Sequence, residues 1–538
     1  MEKKKIMEEC QQRAARCYED GNLDECVDLT AAVLKEDPYD MGSLVMMLSA
    51  YRKAFAKASD SEARAREVAD LLGKAFYDYS SLKDRLFVLR AAMKARYRAV
   101  VTALRGTFSP EEWGLVERAL LGEDGAERGR VGGPRIVLFY SGVESFDFFT
   151  DQLKDKLQKK GCEVFVLDLW KMGRKTDGCY AEDEKLDRFL LNKIDGVVCF
   201  DGLGIRNDEM IQIWDEHQAV TVDIFMDPPL RFHPILENHP KNYHLFCCDR
   251  EHVEYVKKYF RKEVPSVDFM PHVGVLPEGG ISPIPYRERA YDILFSGTYY
   301  SPESKFKQAE KTVPKDSDAH KVYARAFEYM KEDNSLSIWE GIMLTLDHLG
   351  WELGEHQLKT LLWGAEAMDW AVRMYYRERV VEVLAKAGLE ICLLGEGWEN
   401  HPSAGLPNVH RIADQVPYRE TLTYMANARI NLNVMPGFKE GTHDRIFNTL
   451  LQRSAPLTDS SAWIDDHFTD GVDIALYDLK DLDKLPAIAR RLLEDEELAE
   501  RIIENGYKKV AGKLTWDACA EWILEVVRKN GKGSANEL

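Results

Sequence analysis

The chain has 538 residues, more than one ordinary domain holds, and 45% of them are apolar, enough for several packed cores. Its 72 basic and 91 acidic residues leave a net charge of −19, which argues against general binding to nucleic acid or to an anionic membrane and still allows a local basic pocket. No apolar run approaches the roughly 20 residues that span a bilayer. The basic start at Lys3-Lys4-Lys5 has no apolar stretch behind it, so the expected compartment is the cytoplasm.

Residues 1–122 read as helices only. Apolar residues at helical spacing run over 7–18, break at Gly21-Asn22, resume over 23–34 and stop at Asp37-Pro38. That helix–turn–helix resembles one tetratricopeptide unit, and a second pair is expected over 41–57 and 61–79. Ser109-Pro110-Glu111-Glu112 opens a further helix, with Ser109 as cap and Glu112 at the capping-box position. A stretch rich in glycine and charge, 122–135, reads as a linker. Strands then alternate with helices. Short apolar runs at 136–140, 162–169, 196–200, 220–225 and 245–248 predict strands buried on both faces, hence a parallel sheet. A Pro/Gly-rich stretch at 276–285 separates a second series, with strands at 291–295, 390–394, 409–412, 430–434, 455–458 and 473–477. Between its first two strands lies a helical insertion, 302–374, whose Trp339, Trp351, Trp363 and Trp370 read as packing residues. A last helix starts after Thr515.

In open α/β sheets ligands sit at the carboxyl ends of strands, so the loops there are the candidate sites. Ser296-Gly297-Thr298 follows one strand and Gly395-Glu396-Gly397-Trp398 another, each with glycine that lets backbone approach a phosphate. Neither this nor Gly202/Gly204 completes a dinucleotide fingerprint, because Asn400 and Asn207 occupy the third glycine position, and no Walker A run occurs. The densest loop is Glu440-Gly441-Thr442-His443-Asp444-Arg445, followed by Asn448, at a strand-to-helix turn where an arginine meets a helix N-terminus. A cap at Thr442 or Asp444 is the plainer reading of the same turn. In the first series, Asp227-Pro228-Pro229 and Pro271-His272-Val273-Gly274 read as cleft-edge loops. The 10 cysteines include no CxxC pair, and adjacent Cys247 and Cys248 read as reduced core residues. Asp481-Leu482-Asp483 matches a metal-binding DxD pattern but sits in a charged stretch and reads as a helix start.

The order of Gly395-Glu396-Gly397-Trp398, Val416-Pro417-Tyr418, Ile430-Asn431-Leu432-Asn433, His443-Asp444-Arg445-Ile446-Phe447, Pro456-Leu457-Thr458-Asp459 and Thr515-Trp516 resembles the C-terminal half of GT-B glycosyltransferases. The likeness is to the branch near the spore-maturation protein CgeB and the group 1 transferases; with weaker matches upstream it covers about two thirds of the chain. It implies two Rossmann-like domains facing a cleft: an acceptor domain over 134–275 and a nucleotide-sugar domain over 286–527, before a flexible tail at 528–538. The implied reaction is metal-independent, with no cofactor, and moves a hexose or N-acetylhexosamine from a nucleoside diphosphate sugar. Expected donor residues are Gly297, Thr298, Gly395, Glu440, Gly441, Thr442, His443, Asp444, Arg445 and Asn448; His272 and Asp147 face acceptor or cleft. Glu144, Asp147 and Asp227 are the candidate bases for an inverting route, and a retaining route would rely on donor electrostatics. Many group 1 transferases hold the ribose with a second glutamate where this chain has Asn448. The helical N-terminal region suggests a protein acceptor, such as flagellin or another surface protein. The alternatives are a polysaccharide or lipid-linked acceptor, a non-catalytic scaffold, and a sugar-nucleotide epimerase. Sugar, acceptor, anomeric outcome and oligomeric state are not legible.

Overall fold

A computed structural model describes residues 2–36, 40–55, 133–172, 193–277, 282–311 and 313–531, with isolated positions between 109 and 115 and between 174 and 190. Two compact units divide the chain, one drawn from Met1–Gly132 and Leu167–Ile194, the other from Gly133–Val166 and Asp195–Leu538.

In the first unit, helices Glu2–Asp20, Leu23–Glu36 and Met41–Phe55 pack in succession around Ala14, Cys17, Leu23, Cys26 and Ala50. Gly21, at φ +79°, ends the first helix in the left-handed conformation that favours glycine. Asp40 caps the third, its carboxylate accepting from Ser43 N–H at 2.7 Å. The expected second pair beyond residue 55 and most of the 122–135 linker lie outside the described residues. The capping box at 109–112 is present: Ser109 N–H donates to Glu112 Oε2 at 2.7 Å and Glu112 N–H to Ser109 Oγ at 3.2 Å.

The second unit holds two six-stranded sheets, and every strand pairing recorded in them is parallel. Strands β1 (Arg135–Tyr140), β2 (Glu163–Asp168), β3 (Gly196–Phe200), β4 (Val220–Phe225), β5 (Tyr243–Cys247) and β6 (Val267–Phe269) form the first, in the order β2-β1-β3-β4-β5-β6. Every residue of β3 and β4 is buried, as a sheet covered on both faces requires. Strands β7 (Tyr291–Ser296), β8 (Ile391–Leu394), β9 (Val409–Ala413), β10 (Ala428–Leu432), β11 (Ala455–Asp459) and β12 (Ala475–Tyr477) form the second, in the order β12-β11-β10-β7-β8-β9. Only β6 was without a sequence signal; its three residues are too few to show a pattern. Each sheet has one point where the winding reverses, between β1 and β3 and between β7 and β10, and these switch points are where α/β sheets place ligands.

Between β7 and β8 come helices Pro302–Ala309, Asp318–Glu332, Ile338–Leu349, Glu355–Trp363 and Glu366–Lys386. The expected insertion end at 374 falls inside the last of these, which runs unbroken to Lys386, just before β8. The closing helix, Trp516–Asn530, follows the second sheet in sequence but packs on the first. Its Ile523, Leu524 and Val527 join Ile136, Leu153 and Val220 in one core, each contributing about 1.5–3 kcal/mol of burial. Lys160 ties it down through Asp517 at 3.1 Å and Glu521 at 2.9 Å. The two crossing segments meet where Gly274 N–H donates to Leu514 carbonyl at 3.0 Å. Domain boundaries drawn along the sequence therefore miss a helix that belongs spatially to the first sheet.

Candidate functional site

Both switch points open onto one cleft of about 1720 Å³. The first sheet supplies Glu144 after β1, Asp201 after β3 and Asp227 after β4; the second supplies Gly297 after β7, Gly395 after β8, and His443, Asp444 and Arg445 after β10. The helix Glu366–Lys386 adds Arg373.

Cations converge at this wall: Arg373 and Arg445 line the cleft, and Arg377 stands behind Gly297 without lining it. The guanidiniums of Arg445 and Arg377 both stack on Phe295, at 5.2 and 5.3 Å from its ring centre. A β-carbon on Gly297 would sit 3.3 Å from Arg445 Nη2 and 3.6 Å from Arg377 Nη1, so glycine keeps the space between them open. Arg445 Nη1 donates to Asn433 Oδ1 at 2.7 Å, and Arg377 donates to the Thr298 carbonyl. Burial, then the charges of Arg445 and Arg373, pull the Arg377 guanidinium down to about 9, so it stays charged at neutral pH. Arg377 Nε and Arg373 Nη2 are buried without a hydrogen-bond partner. Such donors are costly unless a ligand takes them.

A second ionic cluster borders the first. Arg373 reaches Asp227 Oδ1 at 3.2 Å and Asp369 Oδ1 at 3.1 Å. Arg231 reaches Asp227 Oδ2 at 3.0 Å and pairs with Asp369. Burial alone would raise Asp369, but Arg373 and Arg231 outweigh it and hold the carboxyl below its usual range. Asp201 behaves oppositely. Burial and then the neighbouring Asp227 charge push it well above the carboxylate range. Its backbone is left-handed at φ 49°, and its Oδ1 accepts from Met226 N–H at 2.8 Å.

The glycine loops turn out to be mutual supports. Gly395, at φ +136°, lies so close to the neighbouring loop that a β-carbon would meet Gly297 O at 2.4 Å. A β-carbon on Gly397 would meet Tyr299 O at 2.0 Å. Trp398, fully buried, donates its indole N–H to Gly297 O at 2.8 Å. The Gly395-Glu396-Gly397-Trp398 motif thus fixes the loop that carries Gly297 and Thr298.

The dense turn divides. His443 is the cap of the helix Asp444–Leu451, its ring accepting from Arg445 N–H at 3.3 Å; neither Thr442 nor Asp444, the alternative caps, takes that place. Burial would raise Asp444, but His443, His272 and the Tyr418 hydroxyl hold it well below the carboxylate range. Asn448 is fully engaged: Oδ1 accepts from Val275 N–H at 2.8 Å, and Nδ2 donates to Tyr418 Oη at 2.9 Å and Asp444 Oδ2 at 3.2 Å. Glu440, Gly441 and Thr442 lie outside the cleft lining. Glu440 N–H donates to Asp249 Oδ2 at 3.0 Å, Gly441 packs against Cys248 and Asp249, and Thr442 Oγ1 accepts from His272 N–H at 3.2 Å.

The family model described as glycosyl transferase-like matches residues 376–525, from the Arg377 helix through the closing helix. Over that stretch the chain is similar to the glycosyl transferase-like family. No curated protein matches it. Among solved structures, a sucrose-phosphate synthase from Thermosynechococcus elongatus is 12% identical, with 74% of this chain and 98% of that one covered and a TM-score of 0.43. A glycosyltransferase from Rickettsia africae is 8% identical (75% and 100% covered, TM-score 0.44). Anabaena HepE, in complex with UDP and glucose, is 10% identical (74% and 100% covered, TM-score 0.43).

Within this cleft the structure brings together Gly297, Thr298, Gly395, His443, Asp444, Arg445, Asn448, His272, Asp227 and Glu144. His272 is buried, its Nδ1 unpartnered, and burial lowers it to about 4, leaving the ring neutral. Glu144 accepts from Tyr418 N–H at 2.7 Å. Asp147 is not in the lining; its carboxylate accepts from Ser141 N–H at 2.6 Å and from Gly142 N–H, holding the β1 turn. Arg373, Arg377 and Asp201 carried no sequence motif. Among the described residues no group of three or more His, Cys, Asp or Glu is placed to hold a metal, and Asp481 instead pairs with Lys484. Cys247 and Cys248 are buried and free. No described helix is long and apolar enough to cross a membrane.

Proposed function

We propose that the cleft binds a nucleoside diphosphate sugar and moves its hexose or N-acetylhexosamine to an acceptor hydroxyl. The carrying observation is the set of unpartnered guanidinium donors on Arg373 and Arg377, beside Arg445 at the β7/β10 switch point. A diphosphate supplies acceptor oxygens for the open donors on Arg373 and Arg377 and negative charge beside Arg445 and Arg377. In the transfer, the acceptor oxygen bonds to the anomeric carbon as the bond from that carbon to phosphate breaks. The diphosphate leaves with the electron pair, and its growing charge falls among the arginines. They take the part a divalent cation plays elsewhere, so the reaction is proposed to need no metal.

Asp227 is the candidate base. Both its oxygens are ion-paired in the empty cleft. A diphosphate that draws Arg373 to itself frees Oδ1 to take the acceptor proton. His272, neutral with an open Nδ1, offers a hydrogen bond to a sugar hydroxyl. Asn448 has no free group for a ribose, so its place in the family pattern is taken by Asp444 or by backbone.

The test is a panel of UDP-, GDP-, CDP- and dTDP-sugars, read by thermal shift and by release of free sugar. One nucleotide should stabilise the protein and its sugar should be slowly hydrolysed. A flat response to every donor sinks the proposal, and donor turnover without sugar release points to epimerisation. Asp227→Asn should bind donor normally while transfer falls about a hundred-fold or more.

A further inference from the structure

The helical insertion contains a groove of about 1030 Å³. Trp363 and Glu366 line both this groove and the cleft, so the two spaces adjoin. Helical spacing predicts the insertion tryptophans to be packing residues. Trp339 is one, at 8% exposure, but Trp351 and Trp363 leave 37% and 48% of their surface in solvent. Trp370 sits between the two spaces, beneath Arg231 at 4.8 Å on the cleft side and Lys305 at 5.2 Å on the groove side. Elsewhere in the same unit Trp214, Trp398, Trp463 and Trp516 are all buried. Large aromatics left open in a concave wall mark a ligand surface.

We propose that this groove holds the non-reacting rings of a saccharide acceptor whose reacting end lies in the cleft. The inference rests on the transfer reading above and adds the class of acceptor. A sugar ring has a face of C–H groups that lies flat on an indole, and a rim of hydroxyls that needs partners. The groove supplies both kinds of surface, because exposed Gln308, His356 and Gln357 stand beside the indoles. A lipid tail would strip water from those polar groups and give nothing back. A peptide strand would look for a sheet edge, and these walls are helices. The floor is preformed: Tyr323 Oη donates to Leu361 O at 2.6 Å, and a β-carbon on Gly364 would come within 2.5 Å of that hydroxyl.

The experiment compares wild type with Trp351→Ala and Trp351→Phe, since Trp351 lines only the groove. The probes are gluco-, manno- and chito-oligosaccharides of increasing length, their monosaccharides, and decyl phosphate as an apolar-tail control. Donor-induced stabilisation and donor hydrolysis are measured alongside. The expected result is binding that tightens with saccharide length. Trp351→Ala should weaken it about ten-fold with donor hydrolysis unchanged, and Trp351→Phe should restore most of it. Donor turnover without length-dependent saccharide binding, equal binding in Trp351→Ala, or binding to decyl phosphate alone overturns the groove and leaves the transfer reading standing. Loss of every donor response overturns both.

Discussion

Replacing Arg445 or Arg377 by methionine separates the charge of the cleft from its shape. In the proposed donor complex Arg445 and Arg377 meet the diphosphate beside Gly297, where a β-carbon would crowd both guanidiniums. Truncating one side of a desolvated charge pair costs about 2–4 kcal/mol, so donor Kd should rise from about thirty-fold to several hundred-fold. The empty protein should respond differently. Arg377 is pulled down to about 9 by burial and by Arg445 and Arg373, so removing one cation relieves its neighbours. Against that, Arg445→Met leaves Asn433 Oδ1 without its donor at 2.7 Å, a loss of about 1 kcal/mol. The two effects oppose, and ligand-free stability should stay within about 1 kcal/mol of wild type. Thermal shift reads both sides at once. A donor at a hundred times its Kd stabilises by about 2.7 kcal/mol, and a hundred-fold weaker Kd at the same concentration leaves about 0.4 kcal/mol. Undiminished donor stabilisation in both variants would refute the placement of the diphosphate, and a collapse of the empty protein would show that the arginines are structural.

Three further outcomes follow from the same geometry. Gly395→Ala forces a β-carbon into Gly297 O from a left-handed backbone, so it should destabilise the second sheet's loops by more than about 2 kcal/mol and abolish donor binding; an unaltered melting temperature would show that the loops are not coupled. Under the proposal that the arginines carry the diphosphate charge, EDTA should leave transfer unchanged, and restoration of a lost activity by a divalent cation would overturn the metal-independent reading. Burial, aided by Lys359, lowers His233 to about 4. The unfolded chain therefore binds this proton first as pH falls from about 6.5 to about 4, and stability is lost across that window and complete above it. Denaturation of His233→Gln should show a slope shallower by up to about 1.4 kcal/mol per pH unit within the window; identical slopes would place the burial elsewhere.

What the sequence disclosed divides along a physical line. Strands buried throughout, such as β3 and β4, announce themselves as continuous apolar runs, and eleven of the twelve strands carried a sequence signal from which the parallel sheets followed. Arg445 was legible because a strand, a polar turn and a helix N-terminus lie together in the chain. Arg373 and Arg377 were not, because they stand within the long helix Glu366–Lys386, where an arginine reads as a solvated face. The fold puts Arg373 in the cleft wall and Arg377 behind it, against Thr298 and Phe295. Asp201 was hidden for a related reason: the Gly202/Gly204 pair after it completes no fingerprint, and its significance lies in burial and a left-handed backbone. Glu440 shows the reverse error. It adjoins the right turn in sequence, yet the bridge from Asp249 to Gly441 takes its backbone out of the cleft. Local pattern therefore marks where a sheet ends and a ligand can sit, while the charges that meet the ligand are gathered from helices whose inward face only packing decides.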